Sequence, residues 1–244
     1  MCEISADHRE PGRVTQPVPA VLAMEVSQRH GGIALRCPDG TIVQNRLTST
    51  TRRGDALMPA IESMLMDAQV SPRDLSGIGV TIGPGGFTGL RIGLAAAKML
   101  GWALEIPIAS VPTALLAAET DRESEARYAV ALASKDDTCW LSLIEGKQGH
   151  RALLEGAEGG RLVHADAFQT GLEGVTCLLA DDHLPDSMSN HGLPARAPDF
   201  DPVVLLKITE RFLAEGRTTD PLDLLPIYPR DPEAVRLWDA RKSG

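Results

Sequence analysis

Hydrophobic positions near the start of the chain come in short blocks separated by turn residues. The apolar run 21–27 predicts a buried strand, and 33–36 and 41–47 predict two more. The latter two flank Cys37-Pro-Asp-Gly40, and Pro, Asp and Gly each favour a tight reversal of the chain. This pattern predicts a sheet that begins with three antiparallel strands.

The period of the pattern then changes from that of a strand to that of a helix. Apolar residues at helical spacing predict a helix over 55–68, with Pro59 tolerated if it falls in the first turn. Alternation returns over 76–83, which predicts a strand with Ile78, Val80 and Ile82 on one face. Its other face carries only small residues, which predicts close approach of another element: Gly77, Gly79 and Gly83.

A glycine-rich turn and a long apolar helix follow this strand. The turn comprises Gly83, Pro84, Gly85 and Gly86, and the helix is predicted over 87–104. The turn matches neither phosphate-loop pattern, because Thr88-Gly-Leu90 replaces the Gly-Lys-Ser/Thr of one and Thr88 replaces a glycine of the other. A structural turn is therefore favoured, and anion binding by its backbone N–H groups stays open.

The predicted helix 87–104 has an unusually narrow polar side. After Thr88, the polar residues up to position 105 are Arg91, Lys98 and Glu105, spaced seven apart and hence in one stripe. A helix that is apolar around most of its circumference must be covered on more than one side. Either the chain buries it alone, or another subunit packs on it and on the helix before it. The second interpretation predicts eight interface residues: Met58, Ile61, Met64, Leu65, Arg91, Leu94, Ala95 and Lys98.

The rest of the chain repeats the order of elements more weakly. A strand over 106–111 and a helix over 112–118 end the first part, and further strands are predicted over 128–133, 138–144, 152–154 and 175–180, with helices over 165–170 and 203–215. Two successive runs of strands and helices predict a duplicated α/β unit. We therefore expect an actin/Hsp70/sugar-kinase-like (ASKHA) fold, a duplicated ribonuclease-H-like unit with a degraded second half. The predicted regions are a disordered extension (1–17), two subdomains (18–118 and 127–220) and a C-terminal tail (221–244).

Composition narrows the classes of function. A formal charge of −9 argues against a protein that grips nucleic acid alone, which needs clustered Lys and Arg. The 4 cysteines are scattered, without zinc spacing, which predicts reduced thiols. We expect a cytoplasmic protein, since no apolar run reaches the roughly 18 residues of a membrane span and the first residues do not resemble a signal peptide.

One stretch of the sequence resembles a known family. The segment GPGGFTGLRIGL at 83–94, followed by Ala97-Lys98 and Ile106-Pro107, is similar to the TsaB (YeaZ) family, and the similarity returns at 225–234. This family comprises bacterial subunits needed for threonylcarbamoyladenosine modification of tRNA. The resemblance implies an actin-like fold and a non-catalytic role beside the catalytic paralogue TsaD. It also implies contact with the small ATPase TsaE, with ATP and metal held by those partners and tRNA met only through the complex.

The resemblance also implies where the partner binds. The family's two N-terminal helices form the interface with TsaD and can form a homodimer when TsaD is absent; here they match 55–68 and 88–104. Some positions depart from the family pattern: Glu25-Val26-Ser27 replaces Asp-Thr-Ser, Arg53-Gly54-Asp55 replaces His-Ser-Glu, and Gly86 replaces a common serine. These changes weaken any function assigned to those polar side chains.

Catalysis by this chain alone finds little support in the sequence. No histidine lies between His30 and His150, so the H-x-x-x-H metal pair of TsaD cannot be built there, and no G-x-S-x-G elbow occurs. The acids near His183 and those at 136–137 lie at predicted turns, where they usually face solvent, and Glu25 is assigned a structural hydrogen-bonding role. Two alternatives stay open: an independent actin-like ATPase or kinase, and a glycoprotease-like peptidase.

Overall fold

A computed structural model describes residues 18–28, 31–47, 53–123, 125–154, 159–188, 192–230 and 238. Its first sheet has 5 strands: β1 (Ala20–Glu25), β2 (Gly32–Arg36), β3 (Ile42–Arg46), β4 (Leu75–Gly83) and β5 (Ile108–Pro112). Their spatial order is β3-β2-β1-β4-β5. As predicted, β1, β2 and β3 pair with one another in antiparallel fashion, whereas β4 and β5 run parallel to β1.

The second sheet repeats this order. It contains β6 (Glu125–Ala133), β7 (Thr138–Lys147), β8 (Ala152–Leu153), β9 (Arg161–His164), β10 (Cys177–Ala180) and β11 (Ala195–Arg196). Strand β6 takes the place of β1, with antiparallel β7 on one side and parallel β10 and β11 on the other. Both β8 and β9 pair with β7, in the place of β3. The repeat of strand order agrees with duplication; the degraded origin of the second half stays a prediction.

The described helices are α1 (Arg53–Asp67), α2 (Phe87–Leu104), α3 (Thr113–Thr120), α4 (Ala165–Phe168) and α5 (Pro202–Ala214). The bounds of α2 agree with the prediction. Helix α1 begins two residues earlier than predicted, so Pro59 lies in the second turn rather than the first. Strands β9 and β11 were not predicted, because they are short and most of their side chains are exposed.

The elements form layers around the two sheets. Helices α1 and α2 cover one face of the first sheet. Helices α3 and α5 share one core with the other face of the first sheet and with one face of the second, and we call these two the inner faces. Helix α4 packs on the remaining, outer face of the second sheet. The predicted subdomain 127–220 includes α5, yet this helix packs against β1, β2, β4 and β5 of the first sheet. The sequence boundary is therefore not a boundary in packing. The predicted extension 1–17 and most of the tail beyond residue 230 lie outside the described residues.

Small residues on β4 set the position of α5. A Cβ atom on Gly79 would lie 1.7 Å from Thr209 Oγ1, and one on Gly77 would lie 2.4 Å from Leu213 Cδ1. The predicted close approach at these two glycines is thus confirmed, and α5 is the element that makes it. Within the described ranges, no helix is both long and apolar enough to cross a bilayer.

Candidate interaction surface

Helices α1 and α2 lie side by side on the first sheet. Helix α1 joins β3 to β4 and α2 joins β4 to β5, and since these strands all run parallel to β1, the two helices run in the same direction. Their inner sides join the core formed by the even-numbered residues of β1, including Leu22 and Met24. Within α2, Gly93 allows contact with Val26, because a Cβ at this position would lie 2.1 Å from Val26 Cγ2.

The outer sides of the two helices carry large apolar side chains. Trp102 is 78% exposed and Met66 is 71% exposed, while Met99, Phe87 and Met58 are 49%, 48% and 36% exposed. We call the outer sides of α1 and α2 that carry these five residues the helical surface. An uncovered concentration of large apolar side chains is typical of a protein-interaction site in a soluble protein. This feature makes the helical surface the strongest candidate site in the described chain.

The structure divides the eight predicted interface residues into two groups. Met58, Arg91 and Ala95 are exposed and Lys98 is half-buried, so these four lie on or beside the helical surface. The other four are 2–7% exposed and belong to the chain's own core: Ile61, Met64, Leu65 and Leu94. The prediction that these four contact a partner is wrong, because side chains buried against the first sheet are not available to another chain.

The eight predicted residues also leave out four members of the helical surface. Met66, Phe87, Met99 and Trp102 are among its most exposed members. The stripe of charged residues could have indicated these positions, because it marks the exposed side of α2. Met99 follows Lys98 directly, and Trp102 lies one turn further along the same side. The exposed positions therefore flank the charged residues.

The glycine-rich turn packs tightly between two other segments. The Gly86 N–H donates to the Ser27 carbonyl at 2.7 Å, and a Cβ on Gly85 would lie 2.3 Å from the same oxygen. Gly83 has φ = +111°, and a side chain there would also meet the Ile227 carbonyl. Gly83 and Gly85 thus lie where a side chain would collide with backbone, which agrees with a structural role for the turn. Anion binding at this turn stays untested.

Residues 224–230, which we call the strap, link this turn to the second sheet. Leu224 is buried in the core beneath α1 and α2, and the Ile227 N–H donates to the Ile82 carbonyl at 2.7 Å. Tyr228 then packs on Phe87, with ring centroids 5.2 Å apart. Arg230 reaches the β6–β7 hairpin, donating to Thr138 Oγ1 at 2.8 Å and pairing with Asp136. The described part of the segment that resembles the family, residues 225–230, therefore connects the two sheets.

Glu25 has a local structural role at the end of β1. Its side chain is fully buried, and its Oε1 accepts hydrogen bonds from the Ser27 N–H at 2.8 Å and the Ser27 hydroxyl at 2.5 Å. Thr81 Oγ1 lies 3.5 Å from the same oxygen. These bonds hold the end of β1 beside the glycine-rich turn, which agrees with the predicted role.

The possible catalytic groups do not assemble into a site. Among the described residues, no group of three or more His, Cys, Asp or Glu side chains could hold a metal ion. Asp181 accepts from the His183 backbone N–H at 2.9 Å and contacts the same residue's ring at 3.0 Å, on an exposed turn. Burial raises the pKa of the Cys139 thiol to about 12, so this cysteine stays protonated at neutral pH.

A polar cleft lies beside α3, and ion pairs within the chain involve one of its lining residues, Arg196. It has a volume of about 260 Å³ and is lined in part by Asp121, Arg122, Arg196 and Asp199. Arg196 lies 3.3 Å from both Asp121 and Glu123, and it donates to the Cys177 sulfur at 3.0 Å. That sulfur contact is the main reason the pKa of Arg196 is raised. Arg196 and Asp121 are thus paired with each other within the chain, and this pairing gives no reason to assign a ligand to the cleft.

The sequence is similar to proteins of tRNA threonylcarbamoyladenosine biosynthesis. Residues 50–135 match the family model for TsaD, tRNA N6-adenosine threonylcarbamoyltransferase. The tRNA threonylcarbamoyladenosine biosynthesis protein TsaB of Bacillus subtilis is 33% identical over 129 residues, which cover 53% of this chain and 56% of that protein. The chain therefore spans a little over half the length of this relative. The Escherichia coli TsaB protein is 26% identical over 86% of this chain and 94% of its own length.

A solved structure supports the fold. A Pseudomonas aeruginosa protein described as similar to the peptidase YeaZ superposes with a TM-score of 0.70 at 19% identity, covering 87% of this chain and 100% of that one. At this identity the likeness concerns the fold alone. It extends over both sheets, whereas the sequence match to the TsaD model is confined to the region that contains α1, α2 and the start of the second sheet.

Proposed function

Because the chain belongs to the TsaB/YeaZ family, we propose that it acts in tRNA threonylcarbamoyladenosine biosynthesis as a non-catalytic subunit. In this role it binds a TsaD-like enzyme and supports threonylcarbamoyl transfer to adenosine 37 of tRNA. ATP and metal belong to the partner subunits, among them a TsaE-like ATPase. The tRNA is met only through the complex, and the chain alone can form a homodimer.

The helical surface is the observation that carries this proposal. Its exposed members, above all Trp102 at 78% and Met66 at 71%, would be costly to leave in water. Tryptophan and methionine are enriched in the centres of protein interfaces, where they provide large contact areas or adapt to a partner. A TsaD-like protein is the proposed binding partner. The relatives are named as biosynthesis proteins of tRNA threonylcarbamoyladenosine, and the matching family model describes the transferase for the same modification.

The non-catalytic part of the proposal is supported by the state of the polar groups. The Asp181–His183 pair is an exposed turn, Asp136 is bound by Arg230, and Glu25 is held by Ser27. Each group with possible acid–base chemistry among these already has a structural partner. We therefore assign the chemistry to the enzyme that the chain binds.

The proposal is tested by reconstitution with purified proteins from one organism. The chain alone is expected to modify no tRNA, hydrolyse no ATP and cleave no protein substrate. Adding it to the TsaD-like enzyme, the TsaE-like ATPase, tRNA and a threonylcarbamoyl donor should raise the yield of modified adenosine well above that of the same mixture without it. Equal yields with and without the chain would overturn the proposed role, and robust ATP turnover by the chain alone would favour an independent ATPase.

A further inference from the structure

The strap and the first turn of α2 together hold one arginine in a fixed position on the helical surface. The Arg91 guanidinium lies over the Phe87 ring, with its carbon 4.0 Å from the ring centroid. The Arg91 Nε–H donates to the Tyr228 hydroxyl at 3.4 Å. The Tyr228 ring in turn packs against the Phe87 ring, so the three side chains contact one another. A cation over an aromatic ring is stabilised by the ring's negative face.

Arg91 is also exposed and lacks an acidic partner among the described residues. It belongs to none of the ion pairs found there, and the first turn of α2 contains no acidic residue. Other arginines of the chain are matched: Arg36 pairs with Glu210 and Arg211 with Glu119. An oriented guanidinium with its outer N–H groups unpaired presents a planar fork that fits a carboxylate or phosphate.

The surroundings of Arg91 favour a protein carboxylate over a phosphate. Binding to a nucleic acid backbone relies on several clustered cations, but Arg91 is accompanied along its stripe by Lys98 alone, on a chain whose formal charge is −9. Apart from Thr88, the exposed side chains of α2 that lie within two turns of Arg91 or just beyond are apolar: Phe87, Ala95 and Met99. An apolar surface with one oriented cation matches the composition of a protein interface, where arginine and aromatic residues dominate the binding energy.

We propose that Arg91, oriented by Phe87 and by Tyr228 of the strap, is the polar anchor of the helical surface and binds a carboxylate side chain of the partner protein. Tyr228 acts through Arg91 and is a positioning residue. The anchor therefore depends on a residue 137 positions away in sequence. The proposal rests on the proposed function, because it specifies how the same surface recognises the TsaD-like partner.

The test compares three substitutions of similar size in the full chain, using isothermal titration against the TsaD-like protein. Arg91→Gln removes the charge and should weaken binding by about 10- to 100-fold. Arg91→Lys keeps the charge but loses the fork and should recover only a small part of that affinity. Tyr228→Phe removes only the hydroxyl and should weaken binding by about three- to tenfold. Lys98→Gln is the matched control for loss of one charge and should change affinity less than Arg91→Gln.

Two further measurements distinguish binding of the partner by Arg91 from a purely structural role of this residue. Thermal melting should be the same for the parent chain and for all four variants, within about 2 °C. Replacement of each exposed Asp or Glu on the partner's docking face by Asn or Gln should identify one residue whose loss is not additive with Arg91→Gln, as a double-mutant cycle requires for a contact.

Three results would overturn the anchor. Affinity that changes less than twofold in Arg91→Gln, while Trp102→Glu abolishes binding, would leave the docking surface standing and refute the anchor. Additivity of Arg91→Gln with every acidic replacement on the partner would refute the carboxylate. Weaker tRNA binding by the assembled complex, with unchanged affinity between the two proteins, would assign Arg91 to a phosphate instead. Binding unaffected by either Arg91→Gln or Trp102→Glu would instead count against the proposed docking surface itself.

Discussion

Helices α2 and α5 cover opposite faces of the first sheet, and their outer sides differ sharply. On β4, Ile78 and Val80 point towards the α1–α2 layer, while Gly77 and Gly79 admit α5. The larger apolar side chains of α5 are buried or half-buried, and its exposed positions carry Lys207 and Ala214. Helix α2 buries its inner side equally well yet leaves Met99 and Trp102 in water.

The difference lies in what covers each helix. Helix α5 lies with α3 and the inner faces of both sheets, so residues of its own chain cover it on several sides, and Arg36 of β2 pairs with Glu210 at its rim. Helix α2 has the first sheet on one side and α1 beside it, and neither reaches its outer side. An apolar helix can thus be an internal element or a docking element, and hydrophobicity alone does not distinguish the two.

The first prediction contrasts two neighbouring positions on α2. Leu94 is 4% exposed, whereas Ala95 is exposed. Leu94→Glu buries an unpaired carboxylate and should lower the free energy of unfolding by at least about 4 kcal/mol, or prevent folding. Ala95→Glu, with the same new side chain, should change it by no more than about 0.5 kcal/mol. Urea unfolding followed by circular dichroism measures both, and similar losses at the two positions would contradict the division of α2 into inner and outer sides.

A second prediction addresses the covered helix. Gly79→Ala should lower the free energy of unfolding by about 3 kcal/mol, because its Cβ would collide with the Thr209 side chain of α5. Gly77→Ala is the matched control: the atom it meets is the mobile end of Leu213, so about 1 kcal/mol is expected. Chemical denaturation of the two variants gives the comparison. A larger loss for Gly77→Ala would show that β4 and α5 are packed differently.

The third prediction concerns the open side of the molecule. Met66→Lys and Met99→Lys replace side chains that are 71% and 49% exposed, so stability should change by no more than about 0.5 kcal/mol. Each should weaken binding to the TsaD-like protein by about tenfold, since a charge would be placed in an apolar contact. Surface plasmon resonance with the parent chain as reference measures this effect. Full affinity in both variants would place the partner elsewhere.

The smallest effect is expected at the rim of α5. Arg36 and Glu210 are joined by two hydrogen bonds of 2.7 and 3.0 Å, and the bond to Glu210 raises the pKa of Arg36. Arg36→Gln should cost less than about 1 kcal/mol, less still at high salt, because the pair is partly exposed. Partner affinity should be unchanged. A loss of partner binding here would show that docking extends to the α5 side.

Much of the fold could be predicted from local patterns. Alternation of apolar and small residues predicted β4, and the glycines on its second face correctly predicted that another element, which is α5, packs closely there. Helix α2 was predicted with its observed bounds, because a glycine-rich turn precedes it and its apolar run is long. Short elements such as β11 and β9 were missed because two to four residues establish no period.

The candidate site was only partly predictable, for a physical reason. Helix α2 is apolar around most of its circumference, and only the narrow stripe of Arg91, Lys98 and Glu105 marks its outer side. The sequence therefore did not separate the apolar residues that meet the sheet from those that remain exposed. Leu94 and Trp102 look equally suited to an interface in sequence, yet one is buried against the sheet and the other lies in water. The contact of Arg91 with Tyr228 was also out of reach, because it joins residues 137 positions apart.

The most direct test of this account is the affinity of the purified chain for the TsaD-like protein of its own organism, measured by isothermal titration for two variants. Trp102→Glu places a charge at the most exposed large side chain of the helical surface, and Lys207→Glu introduces the same residue on the exposed side of α5. We predict that Trp102→Glu weakens binding at least about 30-fold while its thermal unfolding is unchanged, and that Lys207→Glu binds as the parent does. Equal affinity of the parent and Trp102→Glu, or a selective loss in Lys207→Glu, would contradict the account.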